Sequence, residues 1–410
     1  MRKQTRKIGI ASKGYSTQRF ITNKIAGYHY VDIRFYNQYL WRNLHLLIAR
    51  KFKLLKLSEE DMLLRLFLKY KLIFPSFFNF QVLHFFNTVN FSKRAPWVLT
   101  IETCLPYTRE IINCLESEHP DLSVIRNDPQ VKKVLYHLSL DNCRGMLAFS
   151  ECTRQIQQAV IDCFPEYKER LEKKLITLHP PQELIVKTVE EKGVSYDGKQ
   201  PLRFIFIGRD FFRKGGKQVL DAFEQYKQQY RFELILISDL SPGKDTFAFF
   251  TEEDRANCLN YINANKDWIS YYPSLPNQEV LNLIKKSHVA LLPTWMDTYG
   301  YSVLECQASG CPVITTDLRA LTEINNDEVG WLISVPVNHL KYPVYPNPDT
   351  FSLFDRKITE GLLTALKSIF EDRNAIRKKA AKCLERIKTN HDPDAYAEVL
   401  QAVYDGKRFI

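Results

Sequence analysis

The chain has 410 residues, a length that predicts two domains, because one domain usually spans ~100–200 residues. Its 45% hydrophobic and 25% charged residues are ordinary for a folded globular protein and exclude disordered and fibrous classes. The sequence has no run of ~18 uncharged apolar residues, and its basic start, MRKQTRKIGIAS, lacks the apolar core and cleavage site of a signal peptide. These features predict a cytoplasmic protein.

The cysteines and the net charge narrow the range of partners. Nine cysteines include no Cys-x-x-Cys pair and no Cys/His cluster at metal spacing, which argues against a zinc site and favours reduced, buried thiols. The net charge of +10 predicts an anionic partner. Charge alone does not choose among phosphate ligands, acidic lipid and nucleic acid.

Apolar runs in the first half predict strands. The first run, Lys7–Ala11, leads to Gly14, which either makes a plain turn or lets the backbone approach a ligand. Further runs occur at Gln81–Phe86, Trp97–Ile101, Gly145–Phe149 and Leu175–Leu178. Their alternation with helical segments predicts a doubly wound parallel sheet.

A basic segment, residues 36–57, contains no acidic residue. On a helical wheel its large apolar residues share one face, and Arg42, Arg50, Lys53 and Lys56 gather opposite. Two readings stay open. The segment is either a core-packed helix with a solvated basic face or a helix that lies on an anionic membrane surface.

Glu102 directly follows the Trp97–Ile101 strand. Open parallel sheets bind ligands at the carboxyl ends of their strands, so Glu102 is a candidate site residue. The alternative is a structural carboxylate that pairs with Arg109 or Arg144.

Residues 186–200 are polar and contain Gly193 and Gly198, which predicts a linker between domains at residues 1–185 and 201–390. Six strands are predicted after it: Leu202–Ile207, Phe232–Ser238, Trp268–Tyr272, Val289–Leu292, Val313–Thr315 and Gly330–Ile333. Residues 336–355, which contain four prolines, predict an extended surface insertion. A last helix is predicted at Asp394–Tyr404.

The first strand after the linker ends in a basic glycine turn that contains Gly208, Arg209, Lys214 and Gly215. Cations at the start of a helix favour an anion, and an arginine can grip two phosphate oxygens at once. The turn therefore predicts a phosphate site. The neighbouring Arg213 and Lys217 are expected to be solvated only.

A second turn has Asp297 and Glu305 on either side of Tyr299, Gly300 and Tyr301. The glycine lets the backbone approach a ligand, and the free N–H groups of the following helix favour phosphate. Carboxylates accept hydrogen bonds from hydroxyl groups such as those of ribose and hexose. Together these groups predict a nucleotide-sugar site.

The stretch 293–323 resembles the donor-site signature of the retaining GT-B glycosyltransferases of family 4. The resemblance rests on Pro293, Asp297, Gly300, Glu305, Ala308, Gly310, Pro312, Val313, Ile314 and Glu323, and the turn with Arg209 and Lys214 resembles the family's second motif. The family usually has glutamate at both acidic positions, whereas this chain has aspartate at the first.

The resemblance implies a GT-B fold, in which two Rossmann-like doubly wound domains face each other across a cleft and residues 391–410 pack back on the first domain. It implies that the loop at Gly14 lies over this cleft. It also places Glu102 where many relatives carry a histidine that contacts the donor sugar.

The implied activity is a retaining transfer of a hexose from a nucleoside diphosphate sugar to a hydroxyl of a glycan or lipid-linked acceptor. Arg209 and Lys214 would hold the diphosphate, Glu305 the ribose and Asp297 the sugar, while Tyr299, Gly300 and Tyr301 line the nucleotide. We expect no metal, no cofactor besides the donor substrate and no nucleic-acid partner. Because several relatives dock on anionic membranes, the inner membrane face is a second expected location.

Two alternatives to this activity stay open. One is a GT-B phosphorylase or epimerase. The other is a catalytically inactive GT-B protein that only binds nucleotides.

Overall fold

The computed structural model describes residues 6–12, 15–33, 80–91, 93, 95–241, 250–344 and 348–407. Gly14 and the basic segment 36–57 lie outside these described residues. The chain divides into two compact units. Unit 1 comprises Met1–Cys114, Asp121–Pro181 and Pro393–Ile410, and unit 2 comprises Leu115–Pro120 and Gln182–Asp392.

Unit 1 contains a six-stranded sheet, and all of its strand pairs are parallel. Its strands are β1 (Arg6–Ile10), β2 (Tyr28–Asp32), β3 (Val82–Phe86), β4 (Trp97–Ile101), β5 (Cys143–Ala148) and β6 (Leu175–Thr177), in the spatial order β2-β1-β3-β4-β5-β6. All five residues of β4 are buried. Such continuous burial is expected for a parallel strand covered on both faces.

The helices of unit 1 are α1 (Tyr15–Phe20), α2 (Arg109–Leu115), a 3₁₀ turn (Leu122–Ile125), α3 (Pro129–Ser139), α4 (Glu151–Asp162), α5 (Pro165–Glu172) and α13 (Pro393–Tyr404). Helix α4 starts where β5 ends because Ser150 caps it: the Ser150 hydroxyl accepts a hydrogen bond from the Thr153 N–H at 3.0 Å. Glu151 thereby lies at the carboxyl edge of the sheet.

Unit 2 contains a second parallel six-stranded sheet. Its strands are β7 (Leu202–Ile207), β8 (Phe232–Ile237), β9 (Ile269–Tyr272), β10 (Val289–Leu292), β11 (Val313–Thr316) and β12 (Gly330–Ile333), in the spatial order β12-β11-β10-β7-β8-β9. This is the doubly wound order of Rossmann folds, and the direction of winding reverses between β7 and β10. Ligands of such sheets bind beyond the carboxyl ends of the two strands at the reversal.

The helices of unit 2 are a 3₁₀ turn (Val189–Glu191), α6 (Gly216–Tyr226), α7 (Glu252–Ala264), α8 (Asn277–Lys285), α9 (Tyr301–Ala308), α10 (Leu321–Ile324), α11 (Pro348–Glu371) and α12 (Arg373–Asn390). Most connect consecutive strands. Helices α11 and α12 follow the last strand.

Helix α13 lies in unit 1 although it follows the whole of unit 2 in sequence. Its Tyr404 hydroxyl lies 2.7 Å from Nδ1 of the buried His84, whose Nε2 is 2.7 Å from the Thr100 hydroxyl. Its Tyr396 hydroxyl donates to the carbonyl of Phe20 at 2.8 Å. The helix is thus tied to β3, β4 and α1 by buried polar contacts.

Two sequence-based expectations were wrong. Strand β2 was not predicted, because its alternating half-buried residues lack a continuous apolar run. Residues 336–344 and 348–355, the described parts of the predicted insertion, do not form an extended surface segment: Tyr342 and Val344 are buried, the Asn338 amide donates to the carbonyls of Leu115 and Ser117 at 2.8 Å, and α11 begins at Pro348. The prolines suggested irregular chain, but Pro343 forms a bridge with Val337 and Pro348 is the first residue of α11.

No helix in the described part of the chain combines the length and apolar composition needed to cross a membrane.

We expect unit 1 to lose stability as the pH falls below neutrality. Burial lowers the pKa of His84 to about 3, against an ordinary value of 6.5. Between these pH values His84 binds a proton in the unfolded chain but not in the folded chain. The stabilising contribution of the neutral His84 is therefore complete above pH 6.5 and is lost progressively towards pH 3, at about 1.4 kcal/mol per pH unit. The His84→Gln variant removes this contribution.

Urea denaturation of both proteins at about pH 7 and about pH 5 checks this. The free energy of unfolding of the wild type should fall by about 2 kcal/mol more than that of His84→Gln. An equal pH dependence in the two proteins would show that His84 titrates normally.

Candidate active site

The loop after β7 is shaped by two residues with positive φ. Asp210 (φ 55°) turns the chain after Arg209, and Gly215 (φ 80°) begins α6. A Cβ atom on Gly215 would lie 2.1 Å from the carbonyl oxygen of Pro293, which follows β10. Only glycine fits here, because it supplies the backbone conformation and allows the two loops to touch.

The loop after β10 is held against this first loop. The Trp295 N–H donates to the carbonyl of Arg213 at 2.9 Å. Further along, Gly300 (φ 84°) begins α9, and a Cβ atom there would lie 2.7 Å from Cδ2 of Leu321. Both motif turns therefore lie side by side at the carboxyl edge of the sheet, at the strand reversal.

Lys214 of the β7 loop and Asp297 of the β10 loop form an ion pair where the two loops touch. The Lys214 ammonium donates to Oδ2 of Asp297, and the two side chains are only 14% and 15% exposed. Burial raises the pKa of the Asp297 carboxyl, but the Lys214 charge and hydrogen bond, the Arg213 charge and the Tyr299 N–H together outweigh burial and hold that pKa below its ordinary value. Two of the predicted site residues, Lys214 and Asp297, thus form an ion pair with each other.

Arg213 is not merely solvated, as the sequence led us to expect. Its Nη1 donates to the carbonyl of Met296 at 2.6 Å, and its Nη2 donates to Oδ2 of Asp210 at 2.7 Å. Sequence spacing gave no signal for this role, because the partner carbonyl belongs to another loop. Lys217, by contrast, forms an ordinary surface pair with Asp221.

Arg209 differs from its two basic neighbours. Its side chain is exposed, and within the described ranges it has no hydrogen-bond or ion-pair partner. It is a cation at the carboxyl edge of the sheet with its donors directed to solvent.

The remaining donor-site residues lie on or before α9. Tyr299 is buried, and its ring centroid is 5.5 Å from that of Tyr301. Glu305 is half-buried in the second turn of the helix. The backbone N–H of Tyr299 also donates to Oδ1 of Asp297 at 3.4 Å, which fixes the aspartate at the mouth of the helix.

Glu102 lies in unit 1, at the carboxyl end of β4. Its N–H donates to Oδ1 of Asn87 at 2.9 Å, and its Oε2 accepts from the Asn87 amide at 3.3 Å. Arg144, one of the two arginines suggested as its partner, donates to the carbonyl of Tyr404. Asn87 has a positive φ of 49°, a conformation that asparagine tolerates better than most residues.

A charged pair next to this position was missed by sequence reasoning. Arg154 donates two hydrogen bonds to Glu151, at 2.6 and 2.7 Å, and the Thr177 hydroxyl donates to the same carboxylate at 2.9 Å. The Arg154 hydrogen bond outweighs burial and lowers the pKa of Glu151. The available signal was position, because Glu151 closely follows a predicted strand just as Glu102 does.

The described part of the chain contains no group of three or more histidine, cysteine, aspartate or glutamate side chains that could hold a metal ion.

Residues 190–341 match the family model described as "Glycosyl transferases group 1". Two curated relatives, the glycogen synthases of Mycobacterium tuberculosis strains CDC 1551 and H37Rv, are each 21% identical over 205 residues, which is 50% of this chain and 42% of theirs. The chain therefore matches less than half the length of these relatives.

Solved structures resemble a larger part of the chain. Sucrose-phosphate synthase from Thermosynechococcus elongatus is 15% identical, with a TM-score of 0.55 over 85% of this chain and 79% of that one. Anabaena HepE in complex with UDP is 11% identical, with a TM-score of 0.52 over 84% and 81% of the two chains. A glycosyltransferase from Rickettsia africae is 14% identical, with a TM-score of 0.50 over 80% and 76%. At these identities the likeness concerns the fold.

The two parallel six-stranded sheets and these neighbours confirm the predicted fold class, that of the GT-B glycosyltransferases. The family match lies within unit 2 and covers both loops of the candidate site. Residues 190–341 are thus similar in sequence to the glycosyl transferases group 1, and the whole described chain is similar in fold to GT-B glycosyltransferases.

Proposed function

We propose that the protein is a retaining glycosyltransferase that moves a hexose from a nucleoside diphosphate sugar to a hydroxyl of a glycan or lipid-linked acceptor. The observation that carries the proposal is the meeting of Lys214 and Asp297 beside the exposed Arg209, at the strand reversal of a Rossmann sheet. Phosphate-binding and hydroxyl-binding groups are thus side by side where such sheets bind ligands.

The charges of the two loops favour a diphosphate. Lys214 is paired with Asp297 and Arg213 with Asp210, which leaves the charge of Arg209 uncompensated among the described residues. Arg209 is therefore the first cation to meet the donor, and Lys214 is shared between the diphosphate and Asp297 once the donor is bound. Fixed cations that stabilise a departing diphosphate contribute directly to the rate.

The two acids take different parts of the donor. Glu305, half-buried on α9, accepts hydrogen bonds from the ribose hydroxyls, and Asp297, at the mouth of the helix, faces the sugar. In this scheme the departing phosphate takes the acceptor proton on the same face of the sugar, which retains the configuration. Positioning and charge stabilisation then supply most of the catalysis, without a metal ion.

The acceptor side of the proposal is unit 1. Asn87, Glu102, Glu151 and Arg154 lie at the carboxyl edge of its sheet and offer both donors and acceptors to a hydroxyl-rich molecule.

The first donor to test is UDP-glucose, because Anabaena HepE, which shares the fold, was solved with UDP and with UDP and glucose. A panel of nucleotide sugars, read out by release of nucleoside diphosphate, tests the proposal. Binding without release would identify an inactive nucleotide-binding protein. Release that depends on added inorganic phosphate would identify a phosphorylase.

Replacing the exposed arginine should affect the chemical step without affecting the fold. The Arg209→Ala variant is expected to release nucleoside diphosphate about 10²-fold more slowly, the scale of losing one electrostatic stabiliser, with an unchanged melting temperature. Lys217→Ala is the matched control, because Lys217 also lies at the start of α6 and pairs only with Asp221. Equal rates in the wild type and Arg209→Ala would remove Arg209 from the site.

Substitutions of Glu305 and Asp297 should have different effects on UDP binding. Glu305→Gln is expected to weaken UDP binding by about 10- to 100-fold, because hydrogen bonds to a charged group contribute about 1.5–3 kcal/mol. Asp297→Asn is expected to bind UDP at least as tightly as the wild type, because the substitution frees Lys214 from its ion pair. The same variant is expected to transfer no sugar. Calorimetry with UDP measures both. Similar losses in the two variants would contradict the division of roles.

We also propose that the basic segment 36–57 attaches the enzyme to anionic membranes. Wild-type protein should cosediment with phosphatidylglycerol vesicles at low salt and be released as salt rises, because exposed charges are screened beyond ~8 Å at physiological ionic strength. Changing Arg42, Arg50, Lys53 and Lys56 to Gln should abolish sedimentation and leave donor cleavage intact. Wild-type protein that stays in the supernatant at low salt would contradict membrane attachment.

A further inference from the structure

Arg213 connects the two loops of the candidate site through both its side chain and its backbone. Its guanidinium group reaches the carbonyl of Met296 at 2.6 Å, and its own carbonyl accepts from the Trp295 N–H at 2.9 Å. The Thr294 hydroxyl lies 3.0 Å from the same Arg213 carbonyl. One residue of the β7 loop therefore binds three consecutive residues of the β10 loop.

The opposite side of the guanidinium group is anchored within its own loop. Nε and Nη2 donate to the single oxygen Oδ2 of Asp210, at 3.2 and 2.7 Å, and the side chain of Arg213 is only 26% exposed. The planar group is thus fixed at both ends, so it acts as a rigid spacer. A lysine has the charge but not the fork needed for these contacts.

The contact with Met296 matters because the Met296 carbonyl belongs to the peptide bond that leads into Asp297. A fixed peptide plane fixes the N–Cα bond of Asp297 and so limits the directions that its side chain can take. Asp297 then meets Lys214, the residue next to Arg213 in sequence. Two adjacent cations of the β7 loop therefore hold Asp297 of the β10 loop. Lys214 binds the Asp297 carboxylate, and Arg213 binds the backbone carbonyl that precedes Asp297.

We propose that Arg213 is a positioning residue, which holds the Met296 peptide so that the Asp297 carboxylate faces Lys214 and the donor sugar. This role rests on the proposed transferase function. Arg213 itself contacts neither the diphosphate nor the sugar in this scheme. Asp297 lacks one methylene group of the glutamate usual in the resembling family, and a shorter side chain tolerates less error in its backbone direction.

The chain provides a matched control at the other end of the same strand. Arg203, at the start of β7, donates to Glu233 at 2.7 Å and to the carbonyl of Lys286 at 3.1 Å. Like Arg213, Arg203 binds one carboxylate and one backbone carbonyl, and its side chain is 33% exposed. Loss of Arg203 removes comparable contacts far from the candidate site.

The first measurement needs no nucleotide. The carboxyl pKa of Asp297 is read by carbon NMR in full-length protein labelled at aspartate Cγ, with the signal assigned by its loss in Asp297→Asn. The charged groups that face Asp297 in the described structure are Lys214 and Arg213, both from the β7 loop. Arg213→Met should raise this pKa because it removes a charge and frees the loop, Arg213→Lys should raise it less, and Arg203→Met should leave it unchanged.

The second measurement follows release of UDP from UDP-glucose, or of the matching diphosphate from whichever donor the panel identifies. Arg213→Met should lower kcat by about 10²-fold, the scale of a misplaced catalytic group, while UDP affinity stays within about 3-fold. Arg213→Lys should recover only part of the rate, and Arg203→Met should keep the wild-type rate.

The outcomes separate the two proposals. An Asp297 pKa that is the same in the wild type and Arg213→Met, or a rate loss that Arg203→Met reproduces, would overturn the role of Arg213. A wild type that releases no diphosphate from any donor would overturn the proposed function, and the NMR titration would still decide whether Arg213 positions Asp297.

Discussion

The contact between the backbone at Gly215 and the carbonyl of Pro293 is the constraint on which the candidate site depends. It exists because β7 and β10 are neighbours at the strand reversal, so their loops leave the sheet from the same edge. Without a side chain at position 215, the loops approach to backbone distance. Lys214 and Asp297, which flank this contact, then meet in a partly buried ion pair. A looser junction would leave the same residues too far apart to share one ligand.

The charged side chains of the candidate site are arranged so that most cations have a carboxylate partner. Several cations close together repel one another until the anion arrives, and this repulsion destabilises the unliganded fold. Here Lys214 and Arg213 each have a carboxylate partner, and only Arg209 lacks one among the described residues. Counted with Glu305, the three cations and three carboxylates of the candidate site cancel, so its formal net charge is zero.

Sequence reasoning identified the residues whose identity is fixed by local chemistry. Continuous apolar runs predicted eleven of the strands, since buried parallel strands have that composition, and glycines next to charged residues marked both loops. It failed where the role depends on a distant partner. Arg213 is defined by the Met296 carbonyl, and residues 336–344 by carbonyls at Leu115 and Ser117. Strand β2 was missed because its pattern resembles a loop as much as an edge strand.

The place of helix α13 has a consequence for how the chain matures. Residues 393–407 complete unit 1, yet they are synthesised after all of unit 2. The contact between His84 and Tyr404 spans 320 positions of sequence, and closing such long loops slows folding because the entropy cost precedes the gain from the contact. All residues of unit 2 have been synthesised before helix α13, so unit 2 can fold first. Until α13 is made, His84 of unit 1 lacks its partner Tyr404. A chain truncated before Pro393 would have all the strands of both sheets but would lack the helix that packs on the buried His84, which makes unit 1 a substrate for chaperones and proteases.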